Sequence, residues 1–334
     1  MERKNNPSRI LIRNFFAGLF LLSICSLGHR ALAQQEAMYS QYMFNMLSVN
    51  PAYAGSRDVL SVTGLYRQNW IGIEGAPTTQ TISADMPLNK ERIGIGFQAF
   101  NDKVGETGST GFYGNYAFRV KVSQSATLSL GLQAGVTNYR ANLLNVNTGG
   151  GAGSDPAFSV NINKFLPNFG TGIYFSTDKF YVGVSVPQLI KGKLNDFSRS
   201  DTARQQRHFF GMVGAVVRLS NALAIKPSIL AKAVAGAPIA LDFNANLWIR
   251  NRFAIGASFR TSNLKFEEAS AGNHRIGDAL VGMVEMQLSD QFRFGYAYDY
   301  MLNGLQGIQT GSHEVMLRYE FGYHKSRILT PRYF

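Results

Sequence analysis

Apolar residues recur at every second position through long stretches of this chain. In residues 127–137, Leu128, Leu130, Leu132, Ala134 and Val136 alternate with Thr127, Ser129, Gly131, Gln133, Gly135 and Thr137. Residues 239–250 repeat the pattern, with Ile239, Leu241, Phe243, Ala245, Leu247 and Ile249 against Asp242, Asn244, Asn246, Trp248 and Arg250. Phe292, Phe294, Tyr296, Tyr298 and Tyr300 do the same, as do Val315, Leu317, Tyr319 and Phe321. Side chains of a strand point alternately to its two faces, so each stretch has one apolar and one polar face. A helix needs a period near 3.6 and is excluded.

About fourteen such strands can be drawn: 58–69, 79–87, 91–100, 109–122, 126–139, 168–176, 179–186, 207–219, 222–234, 238–250, 252–262, 276–288, 290–300 and 312–322. Most exceed the ~5–6 residues of an ordinary strand and match the ~9–11 needed to cross a bilayer at a tilt. The connections alternate as well. Those after even-numbered strands are tight, while those after odd-numbered strands (70–78, 101–108, 140–167, 187–206, 263–275 and 301–311) are long, except 235–237. That asymmetry gathers the long loops at one end of an antiparallel meander, as in outer-membrane barrels with short periplasmic turns.

A soluble β-sandwich is the competing architecture, but its outer faces would carry many charges. Here charged residues are 16% of the chain and aromatic residues 12%. A barrel that turns its apolar face to lipid needs few charges, and closing the sheet leaves no edge unpaired where water is absent. Inward glycines such as Gly94, Gly96, Gly131 and Gly135 suit a crowded interior. The expected fold is therefore all-β: a transmembrane antiparallel β-barrel of outer-membrane type.

Four divisions follow. Residues 1–33 read as a cleaved signal peptide: Arg3, Lys4, Arg9 and Arg13, an apolar run from Phe15 to Leu27, then Ala31-Leu32-Ala33 before Gln34. The run is too short for a membrane anchor, and Ile24 is too bulky for Cys25 to be a lipidated terminus. Residues 34–57 lack clean alternation and form either a periplasmic segment or a lumen plug; 58–322 form the barrel and 323–334 a tail. Removing 1–33 takes five basic residues and one acidic from 33 and 21, so +12 becomes +8, and the only cysteine goes with them.

Several stretches are long enough to be distinctive. YSQYMFN (Tyr39 to Asn45), NPAYAGS (Asn50 to Ser56) and YRQNWIGIEGAPTTQTISADMPL (Tyr66 to Leu88) resemble the PorP/SprF family. So do DPAF (Asp155 to Phe158), LPNFGTGIYF (Leu166 to Phe175), FYVGVSVPQLI (Phe180 to Ile190) and PRYF (Pro331 to Phe334). Met46 departs from the family, which has proline after FN. The resemblance implies an integral outer-membrane barrel without catalytic activity, serving type IX secretion and gliding motility in Bacteroidetes. It implies outer-membrane lipid around the barrel. As partners it implies either the periplasmic ring or a peptidoglycan-linked lipoprotein, or a secreted substrate such as a gliding adhesin. Partner-binding candidates on these motifs are Tyr39, Gln41, Tyr42, Asn50, Pro51, Tyr53, Trp70, Gly75, Pro77, Asp155, Pro156 and Phe158.

Other chemistries find no pattern. The glycines at 149–151 and 153 lack the Gly-Lys-Ser/Thr of a phosphate loop and read as part of the longest external loop. Among the histidines, His208, His274, His313 and His324 show no ligand spacing, so no metal or other cofactor is expected. Glu267-Glu268 read as a solvated pair, and no catalytic cluster stands out. Lys and Arg are dispersed, which gives no nucleic-acid face; Arg119, Arg250, Arg260, Arg293 and Arg318 are expected in the lumen, pairing with Asp242, Asp299 and Glu320. Trp70 reads as an interfacial anchor on a rigid turn, or as part of a loop folded inward. The remaining alternative is a passive or fatty-acid-type transport channel.

Overall fold

The computed structural model describes residues 39–89, 91–146, 158, 160–194, 204–235, 237–262, 277–304 and 306–321. Residues 1–33 and 323–334, expected to be a signal peptide and a tail, lie outside them, as do the glycine run, Asp155, Pro156, Glu267-Glu268 and His274.

The alternating stretches form strands β1 (Leu60–Gln68), β2 (Thr78–Leu88), β3 (Ile93–Val104), β4 (Thr107–Lys121) and β5 (Thr127–Ala141). They continue as β6 (Ile162–Ser176), β7 (Phe180–Val186), β8 (His208–Ala215), β9 (Val217–Arg218) and β10 (Leu223–Val234). The last five are β11 (Ala240–Ile249), β12 (Phe253–Thr261), β13 (Ala279–Gln287), β14 (Phe292–Met301) and β15 (Ser312–Phe321). Each pairs antiparallel with its neighbours, and β15 returns to β1 with Leu60 opposite Phe321, closing the sheet. β8 and β9 both pair with β10 and occupy one wall position broken at Val216, so the barrel has 14 strands.

Alternation decides what faces out. Ile82, Leu132 and Phe169 are 52%, 62% and 55% exposed on the outer surface. A soluble surface rarely carries so broad an apolar band, whereas lipid requires one. The polar positions between them point inward and are buried, among them Ser83, Gln133 and Asn168.

Three local expectations are corrected. The β3–β4 hairpin turns at Gly105-Glu106, so residues 101–108 are mostly strand. β6 begins at Ile162, which shortens the following-β5 loop to 142–161. In both places the strands run on into polar sequence, where two-faced alternation is lost. Arg250 is not in the lumen: it is exposed in the β11–β12 turn. Arg250 and Asn251 have φ +47° and +58° there, the paired positive values of a type I′ hairpin turn. The remaining long loops still share one end of the barrel and the tight turns the other.

Candidate functional site

Residues 39–57 lie inside the barrel. Between Glu36 and Arg57 the sequence carries no charged side chain, so it enters a closed interior without an ion to desolvate. The path is compact: three single-turn 3-10 helices, Tyr42–Phe44, Met46–Ser48 and Pro51–Tyr53. Pro51 starts the third, where its fixed φ suits the first position and its missing N–H costs nothing. Asn50 caps it by accepting from the Ala52 N–H at 2.9 Å, while its Nδ2 donates to the Ile173 carbonyl at 3.0 Å.

The segment is fastened at both ends. Toward the long loops, the Glu314 carboxylate accepts the backbone N–H groups of Ser40 and Gln41 at 2.8 and 2.7 Å. Arg67 donates to Ser40 Oγ at 2.7 Å, Glu314 at 2.9 Å and Asp299 at 2.8 Å. Arg260 joins Asp299 to Asp242, which also holds Lys232 at 2.6 Å. Toward the short turns, Asp85 accepts the Gly55 N–H at 2.9 Å, Arg119 donates to the Gly55 carbonyl at 2.6 Å, and Arg57 pairs with Glu320. Burial by itself would lower the Arg57 pKa; Glu320 and Tyr53 outweigh it and hold the guanidinium charged. Burial also pushes the Tyr42 hydroxyl above its ordinary range, and that hydroxyl meets Ser228 Oγ at 2.9 Å.

The buried charges of the interior are Arg57, Arg67, Arg119, Lys226, Lys232, Arg260, Arg293 and Arg318 against Asp85, Asp242, Glu285, Asp299, Glu314 and Glu320. Such a lattice is strong only while every member keeps its partner. Sequence reasoning placed Arg119, Arg260, Arg293, Arg318, Asp242, Asp299 and Glu320 here, and Arg260 pairs with Asp242 and Asp299 as expected; Arg293 instead pairs with Glu285 at 2.9 Å and Arg119 with Asp58 at 3.2 Å. It missed Arg57, Arg67, Lys226, Lys232, Asp85, Glu285 and Glu314 as lumen groups. Their signal was phase, since each strand member lies on the polar face of its strand.

On the opposite side of the interior the wall comes close to the segment's backbone. A Cβ on Gly94 would lie 1.9 Å from the Ala54 carbonyl oxygen, and one on Gly131 would lie 2.1 Å from the Ala52 nitrogen. Only glycine allows that approach.

The candidate residues therefore separate. Tyr39, Gln41, Tyr42, Asn50, Pro51 and Tyr53 are together and buried inside the barrel. Trp70 and Pro77 are half-buried and Gly75 exposed in the β1–β2 loop. That loop is braced, because Trp70 N–H donates to Ser312 Oγ at 3.1 Å and Ile71 N–H to the Gly311 carbonyl at 2.9 Å. Phe158 is half-buried. Among the described residues no group of three His, Cys, Asp or Glu is placed to hold a metal.

Residues 31–319 match the family described as "Type IX secretion system membrane protein PorP/SprF". No curated protein matches the chain. Solved barrels are similar in part. The TodX monoaromatic hydrocarbon channel (deltaS2 mutant) has TM-score 0.47 and 10% identity over 82% of this chain and 93% of its own. A Pseudomonas aeruginosa FadL homologue has 0.44 and 12% over 84% and 94%, and KdgM porin 0.36 and 8% over 79% and 99%. Likenesses this distant do not bear on function.

Proposed function

The chain belongs to the PorP/SprF family of type IX secretion system membrane proteins, and from that premise we propose that it acts as a sealed, non-enzymatic outer-membrane component that binds other proteins rather than passing solutes. The observation that carries this reading is the lumen occupied by residues 39–57, held at one end by the Glu314 carboxylate on the Ser40 and Gln41 N–H groups and at the other by the Arg57–Glu320 ion pair. A conduit for solutes needs a continuous path; a docking body needs a rigid frame with presented loops.

Its role is either to anchor the secretion machinery or to assist export and surface attachment of a secreted protein. Secreted or translocating partners meet the long-loop end, including the braced loop with Trp70, Gly75 and Pro77. With residues 39–57 engaged inside, contacts to a periplasmic ring or a peptidoglycan-linked lipoprotein fall to the short turns and to the chain following Phe321. Cross-linking in native membranes followed by affinity capture tests this. Recovery of a type IX periplasmic component or a large surface adhesin is expected; recovery of neither overturns the reading. The fatty-acid-type channel is not favoured, because the described inward faces are charged and amide-rich rather than apolar.

A further inference from the structure

Two apolar grooves lie side by side on the outer wall, and Thr171 lines both. The first, of about 530 Å³, has walls of Ile173, Val184, Phe209 and Ile239 over a floor of Gly211 and Ala231. It reaches the long-loop end of β7, whose last residue, Val186, also lines it. The second, of about 440 Å³, has walls of Tyr116, Leu132, Phe169 and Leu189 over Gly114 and Ala134. All eight wall side chains are exposed, so both grooves open outward. Each floor is a cross-strand pair of small residues, Gly211 opposite Ala231 and Gly114 opposite Ala134. No neighbour requires either glycine. A Cβ on Gly211 would meet only the Ala231 Cβ, at 3.9 Å, and one on Gly114 only the Ala134 carbonyl oxygen, at 3.9 Å. Arg207 stands between the grooves. Its Nε donates at 2.8 Å to the carbonyl of Leu189, a wall of the second, and Phe209, two residues on, is a wall of the first. Arg207 is exposed, as is Lys191 two residues after Leu189, and neither pairs with a carboxylate among the described residues.

We propose that this face binds an anionic, phosphate-bearing lipid of the leaflet at the long-loop end, with one acyl chain in each groove and the phosphate on Arg207 and Lys191. Grooves on a lipid-facing wall are filled by what the bilayer supplies, and acyl chains match walls this apolar. Charge makes the choice among lipids. A guanidinium fork suits phosphate oxygens, and each basic side chain near the membrane surface favours an anionic headgroup. A second copy of the chain fits less well, because a two-fold interface sets the same patch against itself and brings Arg207 and Lys191 toward their own counterparts. The inference rests on the barrel lying in the outer membrane and not on which proteins it binds, so it and the secretion role can fail separately.

Native mass spectrometry of the full barrel, released from an uncharged detergent, tests the site. The probes are dimyristoylphosphatidylglycerol, which is anionic, and dimyristoylphosphatidylcholine, which is zwitterionic, at equal concentration. Retention of phosphatidylglycerol is expected, favoured about tenfold over phosphatidylcholine. Arg207→Gln with Lys191→Gln should erase that preference and leave both lipids at the weaker level. Gly211→Leu with Gly114→Leu should fill both floors and cut retention of either lipid about fivefold. Neither added Cβ meets an obstacle, so the folded barrel should keep its gel mobility. Equal retention of the two lipids by the parent barrel, or retention of neither, overturns the proposal. So does a preference that survives the loss of both basic side chains, or retention that the two leucines leave unchanged.

Discussion

The two sides of the lumen hold the same segment by different chemistry. On β10–β15 and β1 the inward face is a lattice of arginine, lysine and carboxylate, with Arg67, Asp299 and Glu314 gripping Ser40 and Gln41. On β3–β7 it is neutral, made of Gln98, Asn115, Gln133, Asn168 and glycine; Arg119, at the short-turn end, is the only buried charge there among the described residues. The charged side holds by pairing and tolerates no lost partner. The neutral side holds by close approach and tolerates no added volume. An interior closed this way needs both: the first fixes the ends of the segment, the second its middle.

The charged side should respond most strongly. Arg67→Met leaves Glu314 and part of Asp299 buried without their cation, and breaking a buried pair costs about 3–5 kcal/mol. Urea unfolding of the barrel in micelles should lose that much, and a loss below about 1 kcal/mol would remove the lattice from the account. The neutral side comes next. Gly131→Val drives new atoms into the Ala52 backbone, and overpacking costs about 1–3 kcal/mol. Trypsin should then cut after Arg57 faster than in the parent barrel; an unchanged rate would mean that the close approach is not a constraint. Asn50→Ala removes the cap and the bond to Ile173, worth about 1 kcal/mol, read as faster hydrogen exchange at the Ala52 amide. The smallest effect belongs to the exposed Lys121–Glu91 pair, 3.1 Å apart near the short turns. Lys121→Ala should leave stability within about 0.5 kcal/mol, and a larger loss would show that charge matters outside the lumen as well.

The strands were legible because their two faces meet different media. Leu132 faces outward and Gln133 the lumen, and a period of two records that difference. Legibility ends where the difference ends. Around Asn101 to Thr110 both faces are polar, so the extended β3–β4 hairpin reads as a loop. The segment from Tyr39 to Arg57 is buried on every side, so it has no face to alternate. The sequence left it as either a periplasmic segment or a lumen plug. The better clues were its uncharged run and the glycines opposite: Gly94 and Gly131 were placed on the inner face from sequence, but what they make room for was not. The lumen ion pairs were legible as a set and only in part as pairs: Arg260 with Asp242 and Asp299 was expected, whereas Arg67 with Glu314 and Arg293 with Glu285 depend on the register between neighbouring strands.

The central claim is that residues 39–57 close the lumen of a protein that binds rather than conducts. Single-channel recording in planar bilayers tests it most directly, with the unmodified barrel beside Gly131→Val. The account predicts a silent parent and intermittent openings in the variant, where the segment is displaced. Steady ohmic conductance from the parent barrel would contradict it.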